Sequence, residues 1–312
     1  MKEEFDFYSR TSLKSYNLDG KMRYQLNTLD SLDVYTKKHC ENVASITCRL
    51  CEYLKLDEGF TIYTTMCAYL HDLGKIFIPP SILQKPSKLT NEEYEIMKTH
   101  TTIGHTMCMK DPELRPYAAG ALYHHEALNG SGYPNGLTAK DIPYEAQIIR
   151  VADEFEAITA KRQYKTHVGI IETLNIMIEN SQPVDKQAGI KMIVKDAKHG
   201  KIDKKIVRAL FKVVIDDTET EIASRSDYLN YVNKEISRLN KANKYYQKYL
   251  NSITQSQKDY YKDYTLLYLK TPAENLDNFQ QVLQEYKESL AARKAHIKEL
   301  YKEIKRIKSL HV

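Results

Sequence analysis

The stretch from Tyr123 to Leu137, YHHEALNGSGYPNGL, sets two histidines side by side, follows them with a glutamate and then enters a glycine-rich loop. Each buried imidazole needs polar partners, so two adjacent ones are costly in an ordinary core. Neighbouring residues on a helix point about 100° apart. His124 and His125 can therefore serve one site only if that site is broad, as it is when two metal ions lie about 3.5–4 Å apart.

Two more histidines fall on apolar stripes that predict helices. His39 belongs to a stripe with three- and four-residue spacing, whose other members are Leu32, Tyr35, Val43, Ile46 and Leu50. His100 shares a predicted face with Ile96, Ile103 and Met107. The spacing predicts that both imidazoles point inward. A single inward histidine is more often a satisfied core residue than a metal ligand.

Acids accompany these histidines at buried positions. His71 and Asp72 are adjacent at the end of an apolar helix, where a divalent cation would compensate the buried carboxylate. Asp153 and Glu156 form an acid pair on the apolar face of another predicted helix. Together these residues exceed what a tetrahedral zinc site needs. Mixed imidazole and carboxylate ligation favours iron or manganese. The candidate ligands are His39, His71, Asp72, His100, His124, His125 and Asp153.

Helices must position these residues, because strand patterns are scarce and helical spacing recurs along the chain. The sequence predicts an all-α protein. TIYTTMCAYLHDLGKI predicts an apolar helix that ends near Gly74 as a C-cap. LTNEEYEIMKTHTTIGHTM predicts one helix, opened by Thr90 and Glu93 at capping-box spacing. PYAAGALYHHEAL and YEAQIIRVADEFEAIT predict two more helices.

The texture changes after about Asp217, where glycine disappears and Tyr, Asn, Gln and Lys become frequent. A first heptad seam follows Leu229, Val232, Ile236, Leu239, Asn243, Tyr246, Leu250 and Ile253. After Pro272 a second seam follows Leu276, Phe279, Leu283, Tyr286, Leu290, Ile297, Leu300, Ile304 and Ile307. Two long helices are expected, either folded back as an antiparallel hairpin or paired in a dimeric coiled coil. The predicted divisions are an extension over 1–26, a metal domain over 27–218 and coiled-coil helices over 219–312.

Composition indicates a cytoplasmic protein. No run of about 18 uncharged apolar residues predicts a membrane span, and the first residues lack the apolar core of a signal peptide. Five cysteines, an odd number, favour a reducing compartment, and Cys48 and Cys51 are expected to be small buried side chains. From Glu219 onward 17 Lys and Arg accompany 12 Asp and Glu, so the whole net charge of +5 lies there. Because this positive charge is spread thinly along the tail, it is more typical of a solvated helical face than of a binding site for a nucleic-acid polymer.

The ordered motifs resemble a known family. His39, HDLGK at His71 to Lys75, His100, HHE with GYP between His124 and Pro134, VADEFEAI and KRQYK resemble the HD-GYP family. These are bacterial metal-dependent phosphodiesterases of the HD superfamily that degrade cyclic di-GMP. The resemblance covers about Thr28 to Val214, and its motifs are specific in combination. It implies an HD-type helical bundle ahead of the C-terminal hairpin or coiled coil.

The resemblance also implies roles for individual residues. All seven candidates would be metal ligands, and Asp72 and Lys75 would act in catalysis, with Lys75 facing the scissile phosphate. The loop would shape the mouth of the site, with Tyr133 near a guanine or a phosphate. The implied substrate contacts are Gly132, Tyr133, Pro134, Arg162 and Lys165. Arg162 suits bidentate phosphate recognition and Lys165 a point-charge contact.

The implied reaction is hydrolysis of cyclic di-GMP to linear pGpG, with GMP as a further product left open. A metal-activated hydroxide at a dinuclear site would attack in line. Two divalent ions, iron or manganese, are expected rather than three, because Tyr35 stands where some relatives carry an extra acid. Departures from the family pattern are Asn129 for Asp, Glu156 for Asp and Gln163 for proline. They leave every predicted ligand in place.

Alternatives remain open at this point. A phosphodiesterase with the same chemistry could act on another cyclic dinucleotide such as cyclic GMP-AMP. A sensor of cyclic di-GMP with little turnover could instead pass a signal through the coiled coil. The tail predicts a homodimer and offers a place for a protein partner, whereas neither a membrane nor a nucleic-acid polymer is expected as partner.

Overall fold

The computed structural model describes residues 31–160, 168–184, 194–270 and 274–311. These ranges contain no β-strand, which confirms the predicted all-α class, and no helix in them is long and apolar enough to cross a membrane. The helices are α1 (Val34–Tyr53), α2 (Glu58–Leu70), α3 (Pro80–Leu83), α4 (Asn91–Lys98), α5 (His100–Lys110), α6 (Ala118–Tyr123), α7 (Tyr144–Thr159), α8 (Ile170–Ser181), α9 (Lys204–Leu250), α10 (Gln255–Leu266) and α11 (Phe279–Ser309), with short 3-10 helices at Leu73–Phe77 and Arg115–Tyr117.

The described residues up to Val214 form one compact unit, and Ile215–Ser309 form a second. In the first unit α1 packs against α2 and α7, α2 packs against α6, and α5 packs against α6 and the 3-10 helix Leu73–Phe77. Val43, Leu50, Leu70 and Ile149 are fully buried in its core. The metal domain over 27–218 and the tail over 219–312 stay predictions, and residues 1–30 lie outside the described ranges.

The end of α2 differs from its prediction. The helix ends at Leu70 with His71 as C-cap, and Gly74 belongs to the 3-10 helix that follows. A Cβ atom at Gly74 would lie 2.0 Å from the carbonyl oxygen of His100. Glycine is therefore required by the close approach of α5 and not by helix capping. This close approach places His71 and Asp72 next to His100.

The segment after Thr90 also differs. Thr90 and Glu93 form the predicted capping box, but the single predicted helix is two helices, α4 and α5, separated at Thr99. His100 is buried as expected, whereas Ile96 is 42% exposed. The predicted apolar face was wrong because periodicity does not carry across a helix break. The buried positions of α5 are His100, Thr101, Gly104 and Cys108.

Other side chains test the sequence predictions for α1 and the cysteines. Tyr35, which the stripe placed inside, is 65% exposed, because it lies in the first turn of α1. His39, Val43 and Leu50 are buried as predicted. All five cysteines are free and buried, which confirms the reading of Cys48 and Cys51.

The second unit is a helical hairpin. Ile222 and Leu229 on α9 pack against α11 residues Ile297, Leu300 and Ile304. Farther along α9, Leu239 and Ala242 pack against Phe279 and Leu283 near the start of α11. Early positions of α9 meet late positions of α11, so the two helices run antiparallel within one chain. Of the two arrangements left open by the sequence, the structure has the hairpin.

The predicted first seam ends early. Leu250 is 54% exposed and Ile253 is 94% exposed, because α9 ends at Leu250 and the unpredicted helix α10 follows. Arg238 holds the connection beyond α10 with charged hydrogen bonds to Glu235 and Glu274 and a bond to the Tyr268 carbonyl. Pro272 lies outside the described residues.

Candidate metal centre

Three imidazoles converge on the carboxylate of Asp72. The Nε2 atoms of His71, His100 and His124 lie 3.4, 3.4 and 3.9 Å from its oxygens. These four side chains are at most 1% exposed. They come from the ends of α2 and α6 and the start of α5, which the approach at Gly74 brings together. His124 lies just past α6 as its C-cap, so the doublet begins beyond this helix, although the predicted helix had included it.

Backbone carbonyls fix the protonation of all three rings. A carbonyl oxygen only accepts, so each Nδ1 must donate its proton, and in the neutral ring Nε2 carries the lone pair. The accepting oxygens belong to Ala68 for His71 at 2.6 Å, to Met97 for His100 at 2.7 Å and to Gly120 for His124 at 2.9 Å. Metal-ligating histidines commonly have this arrangement, because it orients the ring and raises its basicity.

Several polar atoms of this cluster lack a favourable hydrogen-bond partner within the protein. Among the described residues, His71 Nε2 and Asp72 Oδ1 are buried without a hydrogen-bond partner. The Nε2 atoms of His100 and His124 face each other at 3.2 Å, where two lone pairs repel. Each unsatisfied buried polar group costs about 1–3 kcal/mol. A divalent cation would satisfy all of these atoms at once, so the donor set fits a metal ion.

A second group of donors adjoins the first. His39 Nε2 lies 3.1 Å from Asp153 Oδ1 and 3.5 Å from Asp72 Oδ2, and His71 Nε2 lies 3.9 Å from Asp153. Behind His39, Nδ1 donates to Glu156 Oε2 at 2.5 Å. Asn42 donates to the other oxygen of Glu156 at 2.9 Å. The acid pair was visible in the sequence, but this positioning role of Glu156 was not predicted, although its three-residue spacing from Asp153 could have indicated it.

The donor atoms form overlapping groups in which all members lie within 4.8 Å of one another. One group joins His100, His124 and His125, and another joins His39, His71 and Asp153. The structure thus brings all seven predicted ligands together. Their ligand roles stay predictions. A third group, which the sequence analysis missed, contains Cys40 with His71 and Asp72.

The electrostatics favour ligation at neutral pH. Burial lowers the pKa of His100 to about 4 and holds the pKa values of His124 and His125 well below the ordinary value. Burial alone would raise the pKa of Asp72, but Lys75, His71 and His100 together outweigh burial and hold this pKa well below the usual range. Neutral imidazoles and an ionised carboxylate are the states that bind a metal.

His39 behaves differently in the metal-free protein. Burial lowers its pKa, but hydrogen bonds to Asp153 and Glu156 outweigh burial and raise the pKa to about 9. A proton on Nε2 therefore bridges His39 and Asp153, in the place where a cation would satisfy both.

Glu126, the glutamate of HHE, holds the glycine-rich loop. Its side chain is 1% exposed and accepts from the backbone N–H groups of Asn135 at 2.7 Å and Leu137 at 2.8 Å. A Cβ atom at Gly132 would lie 2.3 Å from the backbone nitrogen of Ala127, so only glycine fits there. The loop is thereby folded against the doublet, a role of Glu126 that sequence reasoning missed.

Three of the five predicted substrate contacts, Gly132, Tyr133 and Pro134, lie in this loop. Tyr133 donates its N–H to the His125 carbonyl at 3.2 Å, and its ring stacks on His125 with centroids 4.7 Å apart. The Tyr133–Pro134 peptide is cis. Lys75, 16% exposed, contacts Asp72. Arg162 and Lys165, the predicted phosphate contacts, lie outside the described residues.

Comparisons with known proteins agree with the motifs. The chain is similar to a cyclic di-GMP phosphodiesterase of Thermotoga maritima, with 45% identity over 43% of this chain and 37% of that protein. It is 42% identical to the cyclic di-GMP phosphodiesterase response regulator RpfG of Xanthomonas campestris, over 42% of this chain and 35% of the relative. It is 34% identical to the 3'3'-cGAMP-specific phosphodiesterase 3 of Vibrio cholerae, over 49% of this chain and 33% of that protein.

The chain spans about a third of the length of these curated relatives. The resemblance to HD-GYP proteins is confirmed by them. The model of a protein family described as HD domain matches residues 23–188, which include all seven clustered ligand candidates. The chain belongs to the HD domain family.

Proposed function

We propose that the site hydrolyses cyclic di-GMP to linear pGpG with two divalent metal ions, iron or manganese. The observation that carries the proposal is the convergence of three Nε2 lone pairs on the buried carboxylate of Asp72. Such a set is costly without a cation and has no evident use in packing. The names of the similar proteins supply the substrate class.

The ligands would be His39, His71, Asp72, His100, His124, His125 and Asp153. When bound, the metal ions supply Lewis-acid charge and an activated water for attack on a phosphodiester. Asp72 lies between the two groups of donors, within 3.5 Å of both His39 and His100, and is suited to contact both ions.

The remaining residues would bind and orient the substrate. Lys75 keeps its proton, because the Asp72 carboxylate outweighs the burial that would lower its pKa. A charged, partly exposed ammonium beside the metal cluster is suited to contact a phosphate oxygen as negative charge develops. Tyr133 offers an aromatic surface for a guanine base next to His125. Arg162 and Lys165 remain candidates for phosphate contacts.

A second substrate has specific support. The similarity to a 3'3'-cGAMP-specific phosphodiesterase favours the same chemistry on cyclic GMP-AMP. The two substrates differ in one purine base, so the choice depends on base contacts and not on the metal cluster. A sensor that binds cyclic di-GMP without turnover would use the same cluster. Measurement of product formation distinguishes the sensor from an enzyme.

The test combines metal content with turnover. The protein is purified anaerobically, iron and manganese are counted per chain, and hydrolysis of cyclic di-GMP and cyclic GMP-AMP is followed in parallel. We expect about two metal ions per chain and linear product from at least one dinucleotide. Removal of metal with a chelator should abolish turnover, and added Mn²⁺ should restore it.

Two variants make the test specific. His124→Ala with His125→Ala should lose both metal and turnover, whereas His105→Ala, on α5 but outside the donor groups, should keep both. Tight nucleotide binding with two metals and no product would favour the sensor. A chain that binds no metal under any loading condition would contradict the proposal.

The oligomeric state is a separate proposal. We infer a homodimer through the C-terminal helices, although most of the two seams that suggested it packs within the hairpin. A dimer must therefore use side chains that the hairpin leaves exposed, among them Leu250 and Ile253 at the end of the first seam and Tyr260 on α10. Light scattering on Ile253→Ser and Tyr260→Ser tests this: a wild-type monomer would contradict it. A protein partner for the tail remains a further candidate for the same surface.

A further inference from the structure

Two side chains of α4 stand beside the loop tyrosine at the rim of the cluster. The rings of Tyr94 and Tyr133 have centroids 6.3 Å apart at an interplanar angle of 81°. Lys98 Nζ lies 5.0 Å from the centre of the Tyr94 ring and 5.6 Å from that of Tyr133. Because Tyr133 stacks on His125, this group continues directly from the donor cluster toward solvent.

Exposure shows that the group is not core packing. Tyr94 is 45% exposed, and α4 buries none of its residues. A tyrosine that served only to support Tyr133 would gain more by burying its ring. The exposed ring adjoins Tyr133, whose own ring stacks on the ligand candidate His125.

Lys98 brings positive charge to the same place. Its amine donates to Glu95 at 2.6 Å, but the Glu95 side chain is 69% exposed, so this surface pair is weak and screened by water. An ammonium carries three donors, and one weak surface bond leaves it able to bind an anion. The Lys98 charge therefore lies beside the rings of Tyr94 and Tyr133.

An aromatic ring beside a lysine ammonium suits a nucleotide. Bases stack on tyrosine rings, and a lysine ammonium binds phosphate as a point charge. A simple phosphodiester held by the metal cluster would not reach the rim, whereas a substrate with two bases and two phosphates would.

We propose that Tyr94 and Lys98 form a rim subsite that stacks one purine base of a cyclic dinucleotide and contacts its distal phosphate. The proposal rests on the proposed function, because it takes the cluster to hold the other phosphate. Tyr133 would contact the same base from the glycine-rich loop, and Lys98 would contact the distal phosphate. Through this subsite, α4 would contribute to the preference of the protein for cyclic dinucleotides over other phosphodiesters.

The test compares a substrate with bases and a substrate without them. For Mn²⁺-loaded protein, kcat/KM is measured with cyclic di-GMP and with bis(p-nitrophenyl) phosphate. Loss of one stacked base corresponds to about 10- to 100-fold. We expect Tyr94→Ala to lower the ratio of the two kcat/KM values by that factor, mainly through KM. Tyr94→Phe should restore most of the ratio, and Lys98→Gln should lower it and weaken its dependence on salt.

Controls separate the subsite from general damage. Tyr301→Ala removes a similarly exposed tyrosine of the second unit and should leave the ratio unchanged. The metal content of every variant is counted, because a purely supporting Tyr94 would disturb His125 through Tyr133. An equal loss with both substrates, or no change with either, would overturn the proposal.

A binding measurement separates this proposal from the proposed function. Calorimetry with a phosphorothioate analogue of cyclic di-GMP gives an affinity that does not depend on turnover. If the wild-type protein hydrolyses nothing but binds the analogue, and Tyr94→Ala weakens binding about 10- to 100-fold, the function fails and the subsite stands. If Tyr94→Ala binds the analogue as tightly as wild type, or wild type does not bind it at all, the subsite is wrong.

Discussion

Glu156 Oε2 lies 2.5 Å from Nδ1 of His39, although 117 residues separate the two in sequence. This contact fixes the imidazole so that Nε2 faces Asp153 at 3.1 Å. A carboxylate behind a ligating histidine orients the ring and raises its basicity. The acid that departs from the family pattern thus has a defined place behind the cluster.

Glu156→Gln should weaken metal binding about 10- to 100-fold, because an amide orients His39 but does not raise its basicity as a carboxylate does. The affinity for Mn²⁺ is measured by titration of the metal-free protein. Glu154→Gln is the matched control, since Glu154 lies on the same helix and contacts Asn180 and Arg150 instead of the cluster. Equal Mn²⁺ affinity in Glu156→Gln and wild type would show that His39 is held by other contacts.

Gly74→Ala should both destabilise the protein and weaken metal binding. The added Cβ would meet the His100 carbonyl at 2.0 Å, so α5 and the Asp72 turn must separate. Overpacking of this kind costs about 1–3 kcal/mol, and separation moves His100 away from Asp72. Thermal unfolding and Mn²⁺ titration measure the two effects.

Gly169→Ala provides the control for this glycine. A Cβ atom there meets nothing within 4 Å, so the same chemical change should leave the Mn²⁺ affinity near the wild-type value. Because Gly169 is the N-cap of α8, where alanine is less favourable than glycine, we expect a thermal midpoint slightly below wild type. Similar behaviour of the two variants would mean that the close approach at Gly74 does not position the donors.

Glu126→Gln should loosen the loop that carries Tyr133. The carboxylate accepts from two backbone N–H groups, and an amide leaves one of these donors facing an NH₂ group. A buried donor without a partner costs about 1–3 kcal/mol. We expect a lower thermal midpoint and a higher KM for cyclic di-GMP, with metal content near wild type. An unchanged KM would separate the loop from substrate binding.

Arg238→Ala should destabilise the second unit. Arg238 and Glu274 are 9% and 5% exposed at their side chains, and removal of one partner from a buried pair costs about 3–5 kcal/mol. Arg225→Ala is the control, because its pair with Glu221 is 38% and 32% exposed and such surface pairs contribute about 0–1 kcal/mol. Urea unfolding followed by circular dichroism compares them. An equal loss in both would show that Arg238 acts as an ordinary surface residue.

The helices and the inventory of donors were predictable from local patterns. Periodicity identified α1, α2 and α7, and the capping box placed the start of α4 at Thr90. The inward histidines were identifiable because an imidazole on an apolar face is unusual. Where periodicity crossed the break at Thr99, it placed Ile96 on the wrong face. A pattern in the sequence carries no information about a change of helix direction.

The long-range contacts could not be predicted in the same way. That Gly74 serves a close approach to His100, that Glu126 holds the loop, and that α9 and α11 fold back as a hairpin all depend on partners far away in sequence. Exposed Tyr94 and half-buried Lys98 carried no signal at all, because only the folded loop brings Tyr133 to them.

The sequence by itself determined the helical class, the chemical types at the site and the inward direction of most donors, since these follow from residue chemistry and helical periodicity. The tertiary structure decided which nitrogen of each histidine faces Asp72, how Glu156 and Glu126 support the cluster, and which helices pair. Those features depend on distances between segments, and distances are fixed only when the whole core packs.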